Sequence, residues 1–385
     1  LRKSYCSKDD DAIDGDGKTT QDDDAITPQG DVHIPDPNFK ACLVGNPDIN
    51  TNGDGEISVA EAQAVTGLIP CAGKNISDLT GIEAFVNITV LHCLGNQLSS
   101  LDLSKNTALE WLYCQDNQLS SLDLSNNTAL TELTCYRNQL SSLDLSNNTA
   151  LTDLNCSNNQ LSSLNVSNST ALTYLNCSGN QLSSLDVSNK TALRGVRCIN
   201  NQLSSLNLSN STALEWLYCE DNQLSSLDLS NKTALTEVYC FNNQLSSLNL
   251  SNGTALASLH CDNNQLSSLD VSSNTALKTL SCQNNQLSSL DVSKNTALEI
   301  LHCPENHPLS SLDVSHNTAL LTLHCQNNQL SSLNLKKTNN TIAFVDLNLR
   351  NNPNLSCIQV NDAVSFNANW SNRKDATAYY SENCP

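Results

Sequence analysis

One 21-residue unit constrains this chain more than any other feature. At residues 109–129 it reads LEWLYCQDNQLSSLDLSNNTA, and it recurs with small changes from about residue 88 to residue 335. Its skeleton is L-x-x-L-x-C-x-x-N-Q-L-S-S-L-(D/N)-(L/V)-S-x-x-T-A. Counted from the first Leu, apolar residues fall at positions 1, 4, 6, 11, 14, 16 and 21. No helix buries that pattern. Around Leu112 and Cys114 the period is two, which points these side chains inward and Trp111, Tyr113 and Gln115 outward. The segment LSSLDLS repeats the rhythm beyond an Asn-rich turn. Each coil is therefore expected to hold two extended pieces and two turns. One coil cannot bury its own apolar face, but stacked coils can, so the expected fold is a solenoid of parallel β coils around a continuous core.

With Cys in place of the usual third Leu, L-x-x-L-x-C-x-x-N-x-L resembles the leucine-rich repeat signature. The nested second L-x-x-L-x-L resembles the short bacterial class of these repeats. The resemblance covers roughly two thirds of the chain. It implies a parallel sheet on one face, with the position-9 asparagines (Asn96, Asn117, Asn138, Asn159) bonding backbone groups inside the turn. Coils about 4.8 Å apart, thirteen or so in number, give a rod on the order of 60 Å long.

The cysteines follow the repeat. Eleven, from Cys93 to Cys303, are spaced by 21 residues; Cys71 precedes them and Cys325 follows them at a spacing of 22. These thirteen are expected in the core as small apolar groups, because parallel side chains one coil apart suit neither S–S bonding nor metal ligation. Cys357 and Cys384 bracket a non-repeat tail and are expected to pair. Spacing does not place Cys42.

Four segments are expected. Residues 1–33 are an acidic, disordered tether, 34–66 a small helical N-terminal cap, 67–352 the solenoid and 353–385 a C-terminal cap in which Trp370, Tyr379 and Tyr380 cover the core. Cys6-Ser-Lys-Asp-Asp-Asp resembles the start of Gram-negative surface lipoproteins, which implies lipidation of Cys6 and anchoring at a bacterial cell surface; the plain alternative is an acidic leader. The chain contains no Met, which points to a trimmed translation product. In the N-terminal cap, Asn50, Asn52, Asp54, Glu56, Ser58 and Glu61 resemble the ligand positions of an EF-hand calcium loop, with Asn50 where Asp is usual. This implies a structural Ca2+. The competing reading is a metal-free turn capping a helix at Ser58.

A net charge of −20 over 385 residues excludes the basic footprint that nucleic-acid binding needs. No apolar run is long enough to span a membrane. No nucleophile elbow, phosphate loop or zinc-protease motif is present, so an enzyme is not expected. The position-15 column (Asp102, Asp123, Asp144, Asn165, Asp186, Asn207, Asp228) is expected to serve turn bonding and solubility. The Asn-x-Thr triplets match a glycosylation sequon, but the turn itself calls for those residues.

The information lies where the repeat varies. Positions 3, 5 and 7 are expected on the outer face of the sheet, and they carry Trp111, Tyr113, Tyr136, Tyr174, Trp216, Tyr218, Tyr239 and Phe241, half of all the aromatics. Arg137, Arg197 and His260 join them. Two groups stand out: Trp111, Tyr113, Tyr136 and Arg137; and Trp216, Tyr218, Tyr239 and Phe241. Such residues dominate binding hot spots and also stack on sugars. The expected function is cell-surface adhesion, with an extracellular protein or glycan as partner. The alternative is ice- or mineral-surface binding through the regular Thr and Ser columns. His260, His302 and His324 share one column, read as solvated histidines before a metal site.

Overall fold

The computed structural model describes residues 30–337 and 344–385. Cys6 and most of the acidic leader lie outside the described residues. Fourteen three-residue strands, from Leu68–Pro70 through Trp111–Tyr113 to Asp346–Asn348, form one parallel sheet with one strand per coil. Equivalent repeat positions pair in register, as Leu112 does with Leu133 and Cys-bearing coils do along the array. The position-4 leucines and position-6 cysteines are fully buried, as in Leu112, Cys114, Leu133 and Cys135. Burial pushes the thiol of Cys93 up to about 12, so these cysteines act as apolar filler and not as nucleophiles.

The position-9 asparagine closes the turn after each strand. Asn117 Nδ2 donates to the carbonyls of Cys93 (3.0 Å) and Cys114 (3.1 Å), and its Oδ1 accepts from Leu98 N (3.0 Å). Asn138, Asn159 and the later members repeat this, so the turn's buried backbone groups are satisfied from coil to coil. Position 8 is left-handed throughout, at Asp116 (φ 54°), Asn158 (φ 53°) and Asn242 (φ 53°) among others. Its variation therefore reflects turn chemistry, with Asn and Asp tolerating φ > 0 best.

The second extended piece departs from expectation. Among the described residues it forms strands only at Ser184–Asp186 with Ser205–Asn207, at Ser226–Asp228 with Ser247–Asn249, and at Ser311–Asp313 with Ser332–Asn334, the last continued by Cys357–Gln359 and Tyr379–Ser381. In most other coils, and also at Asn317 within the third paired region, a position-19 asparagine folds the turn. Asn127 Nδ2, for example, donates to the carbonyls of Leu103 and Asn106 of the preceding coil. Each of the three paired regions holds one buried lysine, which takes the asparagine's place at Lys190 and Lys232, whereas Lys337 lies one residue earlier in its coil. Lys190 Nζ donates to Ser167 and Ser169 carbonyls, and Lys337 Nζ to the Asn317 carbonyl. Beside Lys190 and Lys232, Asn189 and Asn231 turn left-handed (φ 59° and 60°), and ladder bonds such as Val187 N to Asn207 O extend the strand.

The ends are closed by caps. Helix α1 (Pro37–Val44) starts at Asp36, whose carboxylate accepts from Asn38 N and Phe39 N, and buries Phe39 and Leu43. Helix α2 (Val59–Ala64) starts at Ser58 in a capping box with Glu61. Asp31 bridges to Ser58, and Val32 is buried with its N–H on Ile57 O, so these two residues pack with the cap. Cys71 also departs from expectation. It sits at the column's spacing but is bonded to Cys42, because it has a coil on one side only and the cap on the other. The free column is thus Cys93 to Cys325. At the other end Cys357 is joined to Cys384. Helix α3 (Ala363–Trp370) lays Phe366 against Phe344 and Tyr380. Tyr380 is buried and Trp370 packs beside the core, whereas Tyr379 is 51% exposed and covers nothing; Phe366 fills that role.

Candidate functional site

Side chains at positions 3 and 5 of each strand share the outer face of the fourteen-stranded sheet, because they are two residues apart. Across five adjacent strands, position 3 reads Tyr174, Gly195, Trp216, Glu237, Ser258, and position 5 reads Asn176, Arg197, Tyr218, Tyr239, His260. The two rows fuse into one strip of rings. Tyr174 meets Trp216 at 5.6 Å across the intervening strand, Trp216 meets Tyr218 at 5.2 Å, and Tyr218 meets Tyr239 edge-on at 4.9 Å. Tyr239 stacks flat on His260, with centroids 4.5 Å apart and planes within 5°. Four strand spacings give the strip a length of about 19 Å.

Gly195 makes the long reach possible. A Cβ there would stand 1.9 Å from Trp216 Cζ2, so the indole occupies space that only glycine leaves open. In the sequence this signal is the lone glycine of the position-3 row, whose role depends on the ring one coil on. The Arg197 guanidinium lies over Tyr218 (4.9 Å) and Trp216 (5.6 Å). Tyr218 donates its hydroxyl to Glu237 Oε2 at 2.6 Å. Burial, then this bond, pushes the Tyr218 phenol up to about 12. One oxygen of Glu220, at the following turn, is buried without a partner, and burial raises its carboxyl above the usual range.

The structure thus brings Tyr174, Arg197, Trp216, Tyr218, Tyr239 and His260 together. Phe241 sits half-buried at the turn, and no ring contact joins it to the strip among the described residues. The other expected group does not assemble as a ring cluster. Trp111 is 45% exposed, Tyr113 packs edge-on with His92 at 4.7 Å, and no ring contact joins Trp111 to Tyr113 or Tyr136 among the described residues. Arg137 occupies a left-handed turn position (φ 51°), 5.9 Å from the Tyr136 ring and 3.5 Å from Asp116.

The histidine column splits. His302 and His324 stack at 4.6 Å, and His324 Nε2 lies 2.8 Å from Asp346. Among the described residues no group of three or more His, Cys, Asp or Glu side chains is gathered as a metal site needs. In the cap loop, Asn50 Oδ1 accepts from Gly53 N, Asn52 Oδ1 from Asp54 N, and Asp54 Oδ1 from Glu56 N. Glu56 pairs with Lys40 at 2.5 Å. Glu61 takes Thr51 N, Thr51 Oγ1 and Asn52 N on one oxygen, and Ser58 N and Oγ on the other. A Ca2+ ion here would have to displace those donors from Glu61. The bonds to Ser58 hold the Glu61 carboxyl down at about 2.

The position-15 aspartates serve turns. Asp102 and Asp123 each accept the N–H of the serine two residues on, at 2.9 Å, and that bond holds their carboxyls below the usual range. No helix among the described residues is long and apolar enough to cross a membrane.

No protein-family model matches this sequence, and no curated protein matches it. Solved structures do. The functional domain of InlJ from Listeria monocytogenes, described as including a cysteine ladder, is 33% identical over 85% of this chain and 74% of its own, with a TM-score of 0.72. An internalin (inlF) from the same organism is 25% identical over 77% of this chain and 90% of its own, with a TM-score of 0.64. The leucine-rich repeat protein LIC12759 of Leptospira interrogans, at 19% identity and a TM-score of 0.61 over 80% of this chain and 82% of its own, shares the fold.

Proposed function

The chain belongs to the leucine-rich repeat proteins, and on that premise we propose that it is an adhesion protein of the bacterial cell surface, binding an extracellular protein or glycan through the strip Tyr174–Trp216–Tyr218–Tyr239–His260. The observation that carries this reading is the room Gly195 leaves for Trp216, which joins rings from non-adjacent strands into one platform. Rings held this way lose little side-chain freedom on binding, which favours affinity. The face is open and offers contact area, not a closed pocket, as suits a binding protein more than an enzyme. Anchoring through a lipid on Cys6 belongs to the same reading. Its test is a protein and glycan binding array comparing wild type with Trp216→Ala. A specific signal lost in the variant supports the strip; a signal equal in both excludes it.

A second reading, ice or mineral binding, draws on a different surface. Position-20 threonines from Thr107 through Thr149 and Thr191 to Thr296 are exposed, and no hydrogen bond engages their hydroxyls among the described residues. An ice-recrystallisation assay with Thr149→Tyr and Thr191→Tyr tests it, since that activity would be indifferent to Trp216.

A further inference from the structure

Among the described strands of the large sheet, Arg197 is the one Lys or Arg. It is exposed, and no hydrogen bond or ion pair engages its guanidinium among the described residues. Its neighbour Arg194 is spent on Glu215 at 2.7 Å, and Arg137 on Asp116. Arg197 is instead held over Tyr218 and Trp216, which fixes the fork without using its N–H donors. Of the acids around it, Glu237 is engaged by Tyr218 and Glu220 is near enough to feel its charge, but neither forms an ion pair with it among the described residues. Glu220 turns one oxygen into the protein. A planar cation with five free donors, fixed beside exposed aromatic rings in a chain of net charge −20, is an arrangement for one ligand anion.

We infer that Arg197 receives the carboxylate of an acidic sugar residue, a uronic acid within a glycan, whose neighbouring rings lie along Trp216 and Tyr174. This rests on the strip being the binding surface. Three features favour a sugar chain over a protein partner. The strip is one-dimensional, running along the stack for about 19 Å, the reach of a few sugar units. Rings alternate with polar groups, Asn176, Arg197, Glu237 and His260, and not with the aliphatic side chains that build an apolar protein interface. A single guanidinium in an acidic molecule suits one carboxylate at wide spacing and repels a densely charged polymer.

The experiment is calorimetric titration of the full chain with a xylo-oligosaccharide bearing a single glucuronic acid and with its methyl ester, which keeps the sugar rings and removes the charge. Wild type is expected to bind the acid about 10- to 100-fold more tightly than the ester, the range for hydrogen bonds to a charged group. Arg197→Met should abolish that difference, and Arg197→Lys should restore only part of it, because an ammonium lacks the fork. Arg197 is exposed, so both variants should fold with unchanged thermal midpoints. Equal binding of acid and ester, or an acid preference that survives Arg197→Met, overturns the inference. If acid binding is lost in Trp216→Ala but indifferent to Arg197→Met, the strip stands and the carboxylate site falls. A partner found on the strip that proves to be a protein has the same consequence. Acid binding that survives both substitutions overturns the strip as well.

Discussion

The Trp216 indole stands where a side chain at Gly195 would begin, with only 1.9 Å between Cζ2 and an added Cβ. The two residues are register partners on adjacent strands, so the notch and the ring that fills it lie one coil apart. Gly195→Ala should therefore displace the indole, break the 5.6 Å contact with Tyr174 and change the tryptophan fluorescence and near-ultraviolet dichroism. Ligand binding should fall as far as in Trp216→Ala, while stability drops by no more than about 1–3 kcal/mol, the usual cost of overpacking. Unchanged spectra and binding would show that the notch is unimportant.

The asparagine ladder should be less forgiving. Asn222 Nδ2 donates to Cys198 O (2.9 Å) and Cys219 O (3.1 Å), and its Oδ1 accepts from Leu203 N (3.0 Å). Asn222→Leu would keep the bulk and orphan buried backbone groups at about 1–3 kcal/mol each. Urea unfolding should show a loss of at least 2 kcal/mol, by the same accounting. Asn126→Leu, at an exposed turn position, should cost almost nothing.

The N-terminal cap should be acid-sensitive. Glu61 has its pKa lowered from 4.5 to about 2, chiefly by the Ser58 N–H. A lowered folded-state value means that the contribution is complete above about 4.5 and is lost as pH falls toward 2. Hydrogen exchange at α2 should accelerate across that window, and Glu61→Gln should flatten the dependence. The same sample tests calcium. With Glu61 already accepting five donors, added calcium is expected to leave the thermal midpoint unchanged, and a calcium-dependent rise would assign the loop to the ion.

Cys42–Cys71 closes a loop of sequence separation 29 between the cap and the first strand of the sheet. Cys42→Ser with Cys71→Ala should lower stability by about 3–4 kcal/mol. The buried column, Cys93 to Cys325, should remain unmodified by thiol reagents in the folded protein and react only after denaturation. Rapid labelling of the native state would mean that the coils open.

Sequence periodicity made the architecture legible because Leu112, Cys114 and their equivalents sit at identical places in every coil. Strand position also followed, so the outward placement of Tyr174, Trp216 and Tyr239 could be read. Ring packing could not. Trp111 and Trp216 occur in the same five-residue string, yet only Trp216 has a glycine on the preceding strand, and the difference lies in the neighbouring coil. Cys71 was misplaced for a similar reason. Spacing fixes where a side chain starts, whereas its partner depends on what abuts the end of the stack. Two of the three stretches of second strand were hidden in one residue each, the exchange of Asn127-type asparagines for Lys190 and Lys232; the third keeps Asn317.

That exchange also limits how such a molecule can lengthen or shorten. Lys190 is flanked along its column by Ser169 and Ser211, and Lys232 by Ser211 and Gly253, so each long buried side chain lies between two small ones. The working unit in this stretch is two coils, not one. Loss or gain of a pair preserves the alternation. Loss of the single coil between them would bring two buried ammonium groups to within about 5 Å of each other. Through this part of the chain, inheritance should therefore proceed in steps of 42 residues, twice the visible repeat.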